Sequence, residues 1–568
     1  MSEMIIKNGC VVDPLNKIDC EIKDICIKDG KIVESVGRNA TVIDAKGKLV
    51  YPGGFDMHTH IAGSKLNAGR MMRPEDSRLN VVARTDITRP QTGYTVPNTY
   101  SIGYNYAKLG YTTAFEAAIP ILKARHTHEE FEEIPIIDKS GLTLFGNNWE
   151  VMDCIREDNI EKLTAYVAWG LKASRGYGVK IVNPGGVEEW GFGKNVHGIH
   201  DIVSNFDVTP AQIMTYLSEA NERLNLPHAI HVHPNNLGHP GNYETTLETW
   251  DLFKGKTSKR DRPVFHSTHV MFHSFGGSNW GNVESKINVM ADYVNQNNHL
   301  SVDMGQLIFG SATTMTGDGP VQYANARMFK AKWTNGDTEL EGGSGVVPLF
   351  YSAKVSAHAI MWAMGQELAL RVKDPWRIAL TTDHPNGGPF VNYPEVMALL
   401  MSSKKREEAL ANVHKLASER TTLPELDREL TFSELCIMTR AGTARLMGLQ
   451  ETKGHLGVGA DADIAIYNID PAKIDQHVEH EAIKKAFQKA AYTIKAGVIV
   501  VKAGEITATP MGKTIWVNAS ESIPAEAEVA MQKDMDKKFR NYYSLSKANY
   551  MVQDEYLVHP HEIKAGGN

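Results

Sequence analysis

Eight short apolar runs, most of them ending in polar or ionisable residues and separated by helix-length stretches, constrain this chain more than any other feature. They are Phe55–His60, Tyr111–Glu116, Leu142–Phe145, Gly178–Val182, His228–His233, Val264–His269, Leu300–Asp303 and Ile378–Asp383. Strands that alternate with helices predict parallel pairing, and eight of them over roughly 400 residues predict an α/β chain built as an enlarged (β/α)8 TIM-like barrel. The chemistry of such a barrel sits at the C-terminal ends of its strands.

Two further β-rich blocks flank these runs. Residues 1–52 carry short strand-like segments broken by the hairpin signals Asn8-Gly9, Asp29-Gly30 and Lys46-Gly47, and a second block holds Asp463–Tyr467, Ala491–Ile494, Val498–Val501 and Thr514–Val517. Each block is half a sheet, so together they predict one small β-sandwich domain made by both chain ends. The expected division is 1–52 and 451–518 for that domain, 53–450 for the barrel, and 519–568 for a helical and extended tail. The charged stretch Met531–Arg540 reads as a solvated helix packed on the body or on a partner.

A net charge of −7 in 568 residues gives no footprint for nucleic acid, and 42% hydrophobic with 22% charged residues is a globular balance. Neither a basic-then-apolar leader nor an apolar run of about 18 residues is present, so secretion and membrane spanning have no support and a cytoplasmic chain is expected. The five cysteines, Cys10, Cys20, Cys26, Cys154 and Cys436, match no metal knuckle or iron–sulfur spacing. They read as reduced, mostly buried thiols, which argues against electron transfer through this chain. Gly255-Lys-Thr-Ser258 lacks the glycine a phosphate loop needs, because Trp250 stands there.

The strand ends gather metal-ligand chemistry. His58 and His60 alternate onto one face of the first strand, about 6 to 7 Å apart, close enough to grip one ion. Lys180 lies inside an apolar strand, where an unpaired ammonium is costly. A lysine kept neutral by desolvation can react with carbon dioxide, giving a carbamate (N6-carboxylysine) that bridges two divalent ions. His231 and His233 compete on the fifth strand, and His233, nearer the strand end, is preferred. On the sixth strand His269 is preferred, with His266 and His273 as supporting imidazoles. Asp383 closes the eighth strand as a carboxylate able to touch a metal and to take a proton. Two divalent ions would share a water whose pKa falls toward about 7, which makes a hydrolytic centre. The donors suit zinc, although manganese, iron or nickel also fit.

The order His-x-His, Lys, His, His, Asp, preceded by Pro52-Gly-Gly-Phe-Asp56 and followed by Leu456-Gly-Val-Gly-Ala-Asp-Ala-Asp463, resembles the amidohydrolase superfamily, in its branch with a carboxylated lysine. Over nearly the whole chain, Tyr51 to Glu75, Lys180 to Gly186, Thr268 to Gly276, Thr381 to Gly388 and Phe539 to Ser546 are similar to the formylmethanofuran dehydrogenase family, in the subunit of those complexes that has the amidohydrolase pattern. One departure is His233-Pro-Asn, where hydantoinases tend to have His-Ala-Glu. The resemblance implies that formate, made by a separate tungsten or molybdenum subunit of a larger complex, is condensed here with the amine of methanofuran. In reverse the formamide is hydrolysed, with Asp383 shuttling a proton. Because methanofuran carries a carboxylate-rich tail, Arg70 and Arg73, in a loop that also holds Arg78, Arg84 and Arg89, are the candidate tail-reading residues. The alternatives are a formylmethanofuran hydrolase subunit of a methylotroph's formyltransferase complex, a cyclic-amide hydrolase of the dihydropyrimidinase or hydantoinase kind, and a metal-free scaffold.

Overall fold

The computed structural model describes residues 3–335, 341–342, 345–543 and 546–566. Ser544 and Leu545 of the C-terminal motif lie outside them. All eight expected runs form barrel strands: β1 (Gly54–Thr59), β2 (Tyr111–Ile119), β3 (Asp138–Leu144), β4 (Val179–Val182), β5 (Ile230–His233), β6 (Phe265–Ser267), β7 (Leu300–Asp303) and β8 (Ile378–Ala379). Each pairs in parallel with the next, and a bridge between Thr59 and His384 brings the last strand back to the first. Helices such as Ile160–Ser174, Pro210–Arg223 and Ser356–Arg371 cover the outside, so the strands are buried on both faces and read as continuous apolar runs.

The two chain ends meet in one nine-stranded sheet. Leu49–Pro52 pairs antiparallel with Ile464–Tyr467, which joins the N-terminal strands to the C-terminal ones around a shared core of Ile6, Ile27, Val50, Ile464 and Ile494. Thr514–Asn518 departs from the expected grouping. It leaves this sheet and extends the barrel sheet instead, with Thr514 pairing Lys139 of β3 and the whole strand pairing Pro560–Lys564. At its N-terminal end β3 bonds to this strand, and only its last residues, Thr143 and Leu144, reach β4.

The cysteine expectation is corrected. Cys10 and Cys20 form a disulfide, while Cys26, Cys154 and Cys436 are free. The long antiparallel hairpin of Glu3–Asp13 with Ile18–Lys28 loses register beyond Val11, and this irregularity brings the two Cα atoms to 4.9 Å. The C-terminal helix Ala525–Asn541 packs on the body: Lys538 donates to Glu150 and Asp153, both at 2.7 Å, and Lys162 donates to Asp534 at 2.7 Å. Among the described residues no helix is long and apolar enough to cross a membrane.

A buried ion cluster fastens the terminal sheet to the barrel. Asp138, the first residue of β3, accepts from Lys453, from Lys495 at 2.6 Å and from the backbone N–H of Lys513 at 2.7 Å. Asp463 accepts from both lysines at 2.7 Å, and Lys453 also pairs with Asp461 at 2.9 Å. Burial alone would raise the Asp138 carboxyl, but the two ammonium groups hold it well below the usual carboxylate range. Removing one partner from such a cluster strands the others in a dry interior. Lys453→Met is therefore expected to destabilise the chain by about 3–5 kcal/mol, read as a lower midpoint in urea denaturation followed by tryptophan fluorescence; an unchanged midpoint would show that the cluster does not fasten the two parts.

Candidate metal centre

His58, His60, Lys180, His233, His269 and Asp383 all line one cavity at the C-terminal mouth of the barrel. Lys180 lies within β4, and the others come from the end of a strand or the residues after it, as parallel strand alternation requires. Asp383 lies at the centre. Its Oδ1 is 3.1 Å from His58 Nε2 and 3.4 Å from His60 Nε2, and its Oδ2 is 3.9 Å from His269 Nε2. Asn386 Nδ2 donates to Oδ1 at 2.9 Å. His269 (φ 35°) and Asp383 (φ 49°) both sit in the left-handed backbone region, a strained state that persists only where the surroundings enforce it. Gly305 makes the His269 turn possible, because a Cβ there would collide with the Cβ of His269.

Buried hydrogen bonds fix which ring nitrogens carry protons. The Leu446 carbonyl can only accept, so His228 Nδ1, 2.7 Å away, holds a proton and His228 Nε2 accepts from His231 Nδ1 at 2.9 Å. His231 Nε2 must then accept from His58 Nδ1 at 2.9 Å, and Asp303 Oδ2 shares that proton at 3.2 Å. This relay leaves the His58 Nε2 lone pair facing Asp383. His60 arrives at the same state by another route, because Glu116 Oε1 accepts from its Nδ1 at 2.7 Å.

Two imidazole lone pairs thus converge on a carboxylate oxygen, an arrangement of acceptors suited to a cation. Burial depresses the His58 imidazole, yet Asp303 and Asp383 outweigh it and shift the group upward, which is the response of a site short of positive charge. Among the described residues the buried Lys180 Nζ and His269 Nδ1 have no hydrogen-bond partner. Burial lowers the Lys180 amine to about 7, against the pull of Asp383 and Asp303, so a neutral amine is available at neutral pH. Neutral imidazoles, a carboxylate and a nucleophilic amine are the donor set that divalent ions take, and the residues fit them.

The supporting imidazoles divide clearly. His231 lies behind His58 and stacks on His266 at 4.5 Å between centroids, while His266 donates from Nε2 to Asp303 at 3.2 Å. Burial holds His231 and His228 well below the usual imidazole range, consistent with neutral relay members. The grouping of His58, His231 and Asp303 is therefore joined by protons. Asp138, Asp461 and Asp463 also converge, but the Lys453 ammonium already fills that position. His273 stacks on His269 at 5.1 Å and meets His233 edge-on at 5.5 Å.

Arg70 and Arg73 are not brought to the cavity. Arg70 is engaged by Glu130 at 2.8 Å, Asn67 at 3.1 Å and the Pro97 carbonyl at 3.1 Å. Arg73 donates to the Ala312 carbonyl at 2.7 Å, tying the helix Ser64–Met72 to the antiparallel insert formed by Gly310–Thr316 and Gly345–Tyr351. Several working groups escaped the sequence reading. Glu116 accepts from His60 and from the N–H groups of Ile61 and Ala62, Asp303 orients His58 and His266, and Asp318 lies 3.2 Å from His233. Glu116 and Asp303 each stand at or near a strand end, which is the signal that could have found them. Asp318 comes from the insert and had none.

A model described as amidohydrolase family matches residues 41–501, and the chain belongs to that family. It is a hydrolase-type enzyme. Protein FwdA of Methanocaldococcus jannaschii is 52% identical over 559 residues, covering 98% of this chain and 97% of the relative. One subunit of the formyltransferase/hydrolase complex Fhc of Methylorubrum extorquens is 32% identical over 557 residues, 97% of this chain and 96% of that one. A chain of the crystal structure of the Methylorubrum extorquens formyltransferase/hydrolase complex, determined with methylofuran, aligns over 100% of both chains with a TM-score of 0.89 and 31% identity. The similarity expected from the sequence motifs thus runs the length of the molecule.

Asp303 offers a direct check on the relay. In Asp303→Asn an amide N–H would face the N–H groups of His58 and His266, reversing their tautomers. The expected result is about a 10- to 100-fold loss of divalent-ion affinity, measured by competition with a chromophoric chelator; unchanged affinity would show that Asp303 only packs.

Proposed function

We propose that this chain joins formate to the primary amine of methanofuran and, in reverse, hydrolyses the resulting formamide. It would act as the amidohydrolase component of a complex in which a separate tungsten or molybdenum subunit makes the formate. The observation that carries this reading is the convergence of His58, His60 and Asp383 as acceptors, in a chain related to FwdA from end to end. His58, His60, His233, His269 and Asp383 would hold two divalent ions, zinc suiting the donors best, with Lys180 as a carboxylated bridge. Bound there, the ions supply Lewis acidity toward the formyl oxygen and a water of lowered pKa.

The chain's own residues manage the protons. Hydrolysis turns a formamide and water into formate and an ammonium group. Asp383, held by Asn386, takes a proton from the attacking water and delivers it to the amine nitrogen as the C–N bond breaks. Condensation runs the same transfers backward. Glu116 and the His228–His231 relay keep the His60 and His58 lone pairs aimed inward throughout. Apolar walls from Phe272, Phe275, Val321 and Met361 limit water, which strengthens every charge interaction inside. A second reading is hydrolysis of a formylated methylofuran within a formyltransferase/hydrolase complex, favoured by the full-length overlay on that complex's chain. Parallel assays with both furan carriers separate the two.

Three variants test this reading in the metal-loaded complex. Asp383→Asn should cut formylmethanofuran hydrolysis by about 10²–10⁴-fold while metal content by mass spectrometry stays near wild type; an active variant would remove the proton-shuttle role. Lys180→Ala should lose metal and activity together, with partial recovery in short carboxylic acids, and an unmodified lysine in an active, fully metallated enzyme would refute the carbamate. His233→Ala should empty the site to a greater degree than His231→Ala; the reverse order would exchange their roles. None of these assays should need an electron donor.

A further inference from the structure

Lys65 is a second buried amine in the same cavity, outside the set of proposed metal ligands and proton carriers. It stands in the first turn of the helix Ser64–Met72, five residues after His60. Its side chain lines the cavity together with His60 and Asp383, the residue is 4% exposed, and among the described residues its Nζ has no hydrogen-bond partner. Among the described residues no carboxylate is within ion-pairing distance of it. Burial lowers the Lys65 amine while Glu116 and Asp383 pull it back up, and both carboxylates are committed elsewhere. Glu116 serves His60 and two backbone N–H groups, and Asp383 takes Asn386 and faces His58 and His60.

An ammonium buried without a partner is expensive and is retained where a ligand completes it. The two reactions at this centre differ in one respect that matters to such a group: the formamide is neutral, whereas formate carries a full negative charge. An ammonium aimed into the cavity therefore favours the condensation substrate and hydrolysis product over the formamide.

Resting on the proposed formamide chemistry, we infer that Lys65 binds the formate carboxylate, so that the cavity holds formate as an anion while the carrier's amine approaches. The role is one of recognition, and no bond to Lys65 forms or breaks. Formate and the carrier amine still yield formamide and water, with the proton transfers at Asp383.

The test is direct binding of formate to the holo complex by calorimetry, in wild type, Lys65→Met and Lys65→Gln, paired with steady-state kinetics in both directions. Both variants should bind formate at least tenfold more weakly and show a matching rise in the condensation KM for formate. The KM for the formamide, which offers Lys65 no charge to hold, should change less than threefold, and Lys65→Arg should recover part of the formate affinity. Formate binding equal to wild type in both variants, equal losses for formate and formamide, or a wild-type complex that binds no formate would each overturn the assignment. Formate binding that depends on Lys65 in a complex unable to hydrolyse the formamide would leave this inference standing and remove the proposed function instead.

Discussion

The structure depends on keeping a crowd of imidazoles dry while pairing most of their nitrogens. His58, His60, His228, His231, His233, His266 and His269 are all essentially buried inside one barrel, where each missing hydrogen bond is costly. Carboxylates at or near strand ends meet most of that demand. Glu116 holds His60, Asp303 holds His58 and His266, and Asp318 lies against His233. The His58 and His60 lone pairs left over after this pairing point the same way. The centre is thus a consequence of barrel geometry: parallel alternation aims the side chains inward, and the carboxylates decide which nitrogen of each ring remains free.

The same logic explains the strain at two of the candidate ligands. His269 and Asp383 turn in the left-handed region just past their strands, where the chain must bend away while the side chain stays over the mouth. The surroundings enforce both. Gly305 gives His269 room, Asp303 accepts the His269 backbone N–H at 2.9 Å, and Asn386 holds Asp383 from the following turn. Farther out, the Asp138 cluster couples the first residue of β3 to the sheet made by the chain ends, so the small domain braces the N-terminal rim of the barrel.

The barrel was legible because strands buried on both faces give apolar runs with abrupt polar ends, and the cavity-lining residues stand at those ends. What escaped the sequence depends on contacts that periodicity does not encode. Thr514–Asn518 has the same alternating pattern as its neighbours, and only tertiary packing sends it to β3 rather than to the terminal sheet. Cys10 and Cys20 look unpaired until the hairpin irregularity closes the distance. Arg70 and Arg73 read as candidates for a substrate's carboxylates, and in the fold they pin the helix after β1 to Glu130 and to the insert. Lys65, a few residues before them in Ser-Lys-Leu-Asn, carries no periodic signal of burial and is buried at the mouth. His233 over His231 could be argued only from proximity to the strand end; the relay through His228 supplies the physical reason, because it occupies both nitrogens of His231.

Anomalous diffraction from crystals of the active complex, collected across the absorption edges of zinc and its neighbours, measures the centre most directly. Two peaks should lie within coordinating distance of His58, His60, His233, His269 and Asp383, joined by density for a carboxylated Lys180. An active enzyme without such peaks, or with its ion between His231 and Asp303, would contradict the assignment of protons to the relay and of metal to the mouth.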